Sequence, residues 1–252
     1  MPVPEWVILV VFCAAASVTQ SVSGFGFGVV LVAVLPLFGL EIQRVVVLIT
    51  LLVGINIGIA LWRVRQHVSI RRVIWLSLGV PFGIPLGLML LTAGREWEWV
   101  LRGLLGAVLV LAAVEPYFRA PAGEGPPERR PWALFAGFSS GVLGGALSSG
   151  GPPVVIYFLR RHWAKEVTKA AIMLVFAGNV LMRLVAYTIK GGLFTGPRLL
   201  EAALLVPVVV VASLVGERLF HAMSQGAFRR AVAAVIIVCG AYQIYRAVLL
   251  LA

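Results

Sequence analysis

Two glycine-rich patches interrupt apolar stretches of the chain: SVSGFGFGVV at 21–30 and GVLGGALSSGGPPVV at 141–155. Glycine is a poor helix former, so both patches predict an irregular backbone inside segments that would otherwise be helical. Proline is tolerated in the first turn of a helix, and Pro152 is therefore predicted to open a short helix through 154–159. The amides of 148–151 would then be free, and free amides at a helix start attract anions.

These two patches supply most of the candidate residues for binding a negatively charged small molecule. They are Ser23, Gly24, Phe25, Gly26, Phe27 and Gly28 in the first patch, and Ser148, Ser149, Gly150, Gly151 and Pro152 in the second. The two phenylalanines are candidate gate or wall residues. The structural alternatives are close packing of small residues between helices and a simple proline kink.

Three polar side chains inside apolar segments extend the predicted anion site. Asn56 and Asn179 occupy equivalent positions in the two halves of the chain, and Arg183 follows Asn179 by one helical turn on the same face. The guanidinium fork suits carboxylate, sulfonate or phosphate oxygens. The alternatives are hydrogen bonding between helices for the asparagines and, for Arg183, a side chain that extends to the membrane surface near Lys190.

Other kinds of chemistry lack the residues that they need. Cys13 and Cys239 lie in apolar segments without metal-ligand spacing, so no metal, cofactor or disulfide framework is expected. Ser148 and Ser149 have no intramembrane His or Lys positioned to activate them, which argues against an enzyme. Acidic residues, Glu217 among them, fall at segment ends, so a buried proton relay is not evident.

The elements that must position these residues are membrane helices. The chain has 252 residues, of which 61% are hydrophobic, and its mean hydropathy is +1.02. Such a composition predicts an all-α polytopic membrane protein, because a bilayer core of about 30 Å needs about 20 apolar residues per span. Ten apolar segments are expected, at 5–22, 26–40, 45–62, 73–92, 99–115, 132–147, 151–159, 168–189, 199–218 and 230–250.

The segments fall into two halves of five. A Pro-, Gly- and charge-rich stretch at 119–131 is predicted to be a cytoplasmic linker between a first transmembrane repeat, 1–118, and a second, 132–252. Moving the first half by 123 positions places Gly28 on Gly151 and Asn56 on Asn179. Because five is odd, the second half would be inverted, with broken half-helices at the midplane, which is a common plan of secondary transporters.

Charge indicates the orientation in the cell inner membrane. With both termini outside, the inside regions, Lys169 included, hold fourteen of the 21 Lys and Arg residues and the outside regions hold six. The net charge of +11 is therefore explained by topology, and no nucleic acid partner is expected. Segment 151–159 is too short to span, so ten spans and eight spans with two hairpins both stay open.

The signatures SGFGFGVVLVAVLPL and SSGGPPVVIYFL resemble those of the TauE/SafE sulfite exporter family, also called the toluene sulfonate uptake permease family. The resemblance covers the whole chain, and the second signature, with Tyr157, is the more specific. It implies a bacterial or archaeal inner-membrane transporter of small sulfur-containing anions such as sulfite, thiosulfate or sulfoacetate. Phe25 and Phe27 stand where many relatives carry further glycines.

The expected function is secondary transport by alternating access, with export of sulfite, sulfoacetate or a related organosulfonate. A passive anion channel, and an importer of thiosulfate, a sulfonate or another small organic anion, are the alternatives. The expected partners are the small anion and the lipid bilayer. The coupling ion and the oligomeric state, including a homo-oligomer, stay open.

Overall fold

The computed structural model of the chain describes residues 3–92, 99, 103, 106–107, 130–161, 163–191 and 194–251. These residues form a bundle of helices, which confirms the predicted all-α polytopic membrane protein. The helices are α1 (Val3–Ser23), α2 (Phe27–Val34), α3 (Ile42–Val64), α4 (Ile74–Thr92), α5 (Arg130–Leu147), α6 (Gly151–Leu159), α7 (Lys165–Lys190), α8 (Gly196–Ala222) and α9 (Gln225–Leu251). Most of the predicted segment 99–115 and of the linker 119–131 lies outside the described residues, and α5 begins inside the last two linker positions.

Among the residues that the structure describes, four helices are long and apolar enough to cross a bilayer: Glu5–Ser23, Ile42–His67, Lys165–Ile189 and Gly196–Ala222. In contrast, α2 has 8 residues and α6 has 9. At about 1.5 Å per residue, either helix covers less than half of a hydrocarbon core of about 30 Å. Each therefore forms the short arm of a hairpin, α1–α2 and α5–α6.

Contacts at the helix ends show that the two hairpins enter the bundle from opposite ends. Arg44, at the start of α3, pairs with Glu5, at the start of α1, across 2.8 Å, so the α1–α2 hairpin begins and finishes at this end. The guanidinium of Arg130 lies over Trp75, and that of Arg72 over Trp163, so the α5–α6 hairpin opens where α4 begins. We call these the Arg44 end and the Trp163 end.

Closely packed glycines hold α5 against α4. Gly79, Gly83 and Gly87 recur every fourth residue on α4, and Gly137, Gly141 and Gly145 do so on α5. A Cβ atom at any of the six would lie within 2.5 Å of a backbone atom of the other helix. Small residues at this spacing let membrane helices approach closely, and this stripe is the main contact between the halves of the chain on that side.

On the other side of the bundle, the two halves of the chain pack through α1 and α8. An asparagine hydrogen bond also recurs at equivalent positions of the two halves. In the first half, Asn56 Nδ2 donates to Ser17 O at 3.2 Å; in the second, Asn179 Nδ2 donates to Ser140 O at 3.5 Å. Both members of one pair fall on the other pair at the same 123-residue shift. The predicted repeat and its domain limits stay a prediction, which these paired contacts support.

Candidate functional site

The tips of the two hairpins meet in the middle of the bundle. Gly24 and Gly26 have φ angles of 83° and 112°, and Ser148 has a φ of 50°, so the backbone leaves the helical path at both predicted patches. A Cβ atom on Gly28 would lie 2.1 Å from the carbonyl oxygen of Ser148. Only glycine at position 28 allows the start of α2 to approach the second tip this closely.

A cavity of about 30 Å³ lies where the tips meet, with room for two or three water molecules. Helices α1, α2, α3 and α7 and the second tip form its wall. The lining residues are Gln20, Gly26, Gly28, Val29, Val53, Ile57, Ser148, Ser149, Gly150, Gly151, Phe176, Asn179, Val180 and Arg183. Eight of these are predicted site residues, contributed by both patches and by α7.

Arg183 is the cation of this cavity. Its side chain is 4% exposed, and its Nη1 donates to the carbonyl oxygen of Gly144 at 3.4 Å. No carboxylate is found among the lining residues, and no described acid forms an ion pair with Arg183. The guanidinium therefore turns to the interior of the bundle, where it makes the cavity electropositive, and does not extend to the membrane surface.

Four buried polar atoms of the lining residues have no hydrogen-bond partner within the protein. They are Gln20 Nε2, Ser149 Oγ, Asn179 Oδ1 and Arg183 Nε. Buried polar groups are nearly always hydrogen-bonded, because an unmade bond leaves their desolvation uncompensated. All four belong to residues that surround one cavity, so this part of the bundle contains polar groups that the protein itself does not satisfy.

The remaining predicted residues do not line the cavity. They support the first tip: the Ser23 hydroxyl donates to Phe25 O at 2.6 Å, and both Phe25 and Phe27 are fully buried. Gly24 packs on α7, with Ile172 3.6 Å from its Cβ position, and Asn56 joins α3 to α1. Pro152 lies in the first turn of α6, as predicted.

Two of the four predicted free amides are engaged. The amide of Ser148 donates to Gly144 O at 3.0 Å, and that of Ser149 donates to Leu143 O at 3.3 Å. The prediction was wrong for these two positions because the backbone turns back on the end of α5 before α6 starts. Gly150 directly precedes α6 and Gly151 is its first residue. The backbone amides of these two residues have no acceptor within the helix.

Gln20 is the main lining residue that sequence reasoning missed. It lies on α1, directly before the first patch, and it is 2% exposed. A polar side chain in an apolar segment is the signal that singled out Asn56, and it applies equally here. Thr50 was missed too: its hydroxyl lies 3.2 Å from Ser148 Oγ and fixes the second tip to α3.

Lys169 and Glu217 correct the predicted charge distribution. Lys169 lies inside α7 and not in a loop, and its Nζ is 2.7 Å from Glu217 Oε1 on α8. Both side chains are almost fully buried. Helix α8 continues to Ala222, beyond the predicted end of its apolar segment at 218. Glu217, which was expected at a segment end, is therefore enclosed in the bundle. Within the described parts of the chain, no group of three or more His, Cys, Asp or Glu could hold a metal ion.

Comparison with known proteins identifies the family of the chain. The family model described as Sulfite exporter TauE/SafE matches residues 8–243. A protein of Cupriavidus necator described as "Probable sulfite/organosulfonate exporter TauE" is 31% identical over 237 residues, which are 90% of this chain and 89% of that protein. Solved structures give no significant match. The chain belongs to the sulfite exporter TauE/SafE family.

Proposed function

We propose that the protein is a secondary transporter that exports small sulfur-containing anions, such as sulfite or an organosulfonate, across the cell inner membrane. Family membership and the name of the Cupriavidus relative support the class of substrate. The observation that carries the proposal is the buried guanidinium of Arg183, which lines a central cavity without an acidic partner among the described residues.

An anion in the cavity would compensate this charge. A cation taken out of water without a counter-ion is strongly unfavourable, and intramembrane arginines mark substrate or ion pathways for that reason. The start of α2 and the start of α6 both face the cavity, through Gly28 and Gly151, and their dipoles add positive potential. Binding of a small anion is therefore the chemistry that the site supports best.

Alternating access is supported by ion pairs on both sides of the cavity. On α3, Arg44 precedes the lining residue Val53 by nine residues, or about 13 Å, and binds Glu201 of α8. On α7, Lys169 precedes Phe176 by seven residues, or about 10 Å, and binds Glu217, also of α8. We infer that this conformation is occluded, and that parting one ion pair at a time would open the cavity to one side.

The membrane potential would favour export of a singly charged anion. A negative interior drives it outward by about 2.3 kcal/mol per 100 mV. A coupling ion is therefore not required by energetics for this direction. The entry of the two hairpins from opposite ends supports the inverted halves that such a mechanism would use.

The test is sulfite flux in proteoliposomes with Arg183→Gln, which keeps hydrogen bonding and removes the charge. We expect flux at low sulfite concentration to fall by about tenfold to a hundredfold, since a hydrogen bond to a charged group contributes about 1.5–3 kcal/mol. Arg63→Gln, the same change on the exposed end of α3, is the matched control and should retain wild-type flux. Wild-type flux in the Arg183 variant would remove this residue from the site.

A carrier and a passive channel differ in counterflow. In proteoliposomes preloaded with unlabelled sulfite, an alternating-access carrier takes up labelled sulfite transiently against its gradient, because each conformational cycle exchanges one anion. A channel only equilibrates the label. We expect saturable flux with counterflow; flux that rises linearly with concentration and shows no counterflow would contradict alternating access.

A further inference from the structure

The ammonium group of a lysine lies at the broken end of α1. The carbonyl oxygen of Ser21 would normally accept from the amide of Phe25, but that amide donates to Ser23 Oγ at 3.3 Å. Lys169 Nζ, from α7, donates to Ser21 O instead, at 2.5 Å. The ammonium therefore satisfies a carbonyl group that the break in the helix leaves free.

The surroundings of this ammonium are those of a cation site. Lys169 Nζ is 2.7 Å from Glu217 Oε1 and 3.8 Å from the centroid of the Phe220 ring, and both charged side chains are at most 1% exposed. A carboxylate, the C-terminal end of a helix and an aromatic face all attract cations. In secondary transporters with broken helices, the C-terminal ends of the half-helices coordinate the coupling Na+. Lys169 thus lies in the kind of position where a coupling cation binds.

The second hairpin has a similar contact with a different charge balance. The 123-residue shift of the predicted repeat places Ser21 on Gly144, and Gly144 O accepts from Arg183 Nη1 at 3.4 Å. A cation of α7 therefore contacts matching carbonyl groups near the ends of α1 and α5. Lys169 is neutralised by Glu217, whereas Arg183 has no ion pair with a described acid. Arg183 is thus available to the transported anion, and Lys169 is not.

We propose that Lys169 replaces a coupling cation, so that transport of the anion is not coupled to Na+ or to another metal cation. This inference rests on the proposed function, because it names the coupling of the same transport cycle. A free cation between Ser21 O and Glu217 would be released whenever α8 moves away on that side, and each cycle would then carry it across the membrane. The ammonium of Lys169 is attached to α7 and cannot leave, so the cycle carries the anion alone.

The first test measures sulfite counterflow by the wild-type protein in sodium chloride and in a medium in which choline replaces all metal cations. Counterflow moves no net charge, so the membrane potential does not affect the comparison. We expect equal rates in the two media, and a rate that depends on Na+ would overturn the inference. Absence of sulfite transport from both media would overturn the proposed function, and the second test then decides this inference alone.

The second test uses Lys169→Ala, which removes the ammonium and leaves Ser21 O and Glu217 beside an open space. We expect Na+ to bind there, because the buried carboxylate would otherwise lack a counter-ion. At about a hundred times its Kd, Na+ should raise the thermal midpoint of the purified variant by about 5 °C, and choline should not. The wild-type midpoint should be the same in both salts.

Two further variants are the controls for this measurement. Lys165→Ala makes the same change one turn earlier on α7, at a side chain that is 11% exposed, so that water can replace its ammonium. Lys169→Ala/Glu217→Gln removes the carboxylate as well. Neither midpoint should respond to Na+. A Lys169→Ala protein that responds no more than these controls would overturn the inference, and the wild-type comparison tests it even if Lys169→Ala does not fold.

Discussion

Gly28 is the residue on which the meeting of the two hairpins depends. Gly28→Ala would place a Cβ atom 2.1 Å from Ser148 O, so one tip must shift. We expect a loss of about 1–3 kcal/mol in stability, typical of overpacked sites, and a lower thermal midpoint of the purified protein. Transport should fall as well, because the shift distorts the cavity.

Gly58 provides the matched control for this change. It lies on α3, and a Cβ atom there would have nothing within 4 Å. Gly58→Ala should keep or slightly raise the thermal midpoint, because alanine is favoured in a helix by about 1 kcal/mol. If both variants melt together, the tips do not touch as closely as the structure indicates.

Single residues were predictable from sequence only where their chemistry was local. Asn179 and Arg183 share a helix face by spacing alone, and both line the cavity. By contrast, Gln20 carries only the general signal of a polar side chain in an apolar segment, and its meeting with α7 and the second tip depends on the packing of α1 in the bundle. The partner of Lys169 was likewise unpredictable, because Glu217 approaches it from a helix 48 positions away in sequence.

Ion pairs of two buried glutamates hold α8 to its neighbours near both of its ends. Glu201 binds Arg44 near one end, and Glu217 binds Lys169 near the other. Lys169→Met would leave Glu217 charged and unpaired, which destabilises a protein by about 3–5 kcal/mol. The double variant Lys169→Met/Glu217→Leu removes both charges and should recover most of that loss. A double-variant cycle on thermal or denaturant unfolding measures the coupling.

Glu166→Gln is the control for the ion-pair variants. Glu166 is partly exposed and lies 3.8 Å from Lys165, so its loss should change stability by less than about 1 kcal/mol. A Lys169→Met protein as stable as the wild type would contradict the buried pair. Equal losses in the single and double variants would show that packing around Lys169, rather than its charge, is what matters.

Helix positions followed from hydropathy, while helix contacts did not. The patches predicted the ends of α1 and α5, because glycine and proline act on the local backbone. The stripe that joins α4 to α5 consists of glycines every fourth residue on both helices, but this pattern alone does not tell which helices pair. The pairing depends on how the two halves dock, which is a property of the whole bundle.

The whole molecule has two distinct ends, and their assignment to membrane sides is testable by labelling. The excess of Lys and Arg predicts that the Trp163 end faces the cytoplasm and the Arg44 end faces outward. Gln66 lies in an exposed turn after α3, and Thr195 lies exposed just before α8. Cysteines at these two positions, in a background with Cys13 and Cys239 replaced by alanine, report on opposite ends.

In intact cells, a membrane-impermeant maleimide should label Thr195→Cys and not Gln66→Cys, and after disruption of the membrane it should label both. Labelling of Gln66→Cys alone would reverse the orientation. Because the hairpins enter from opposite ends and the cavity lies between the two ion pairs, reversal would exchange which pair faces outward without moving the site. Labelling of both positions in intact cells would contradict the placement of the two ends on opposite sides, and with it the occluded carrier.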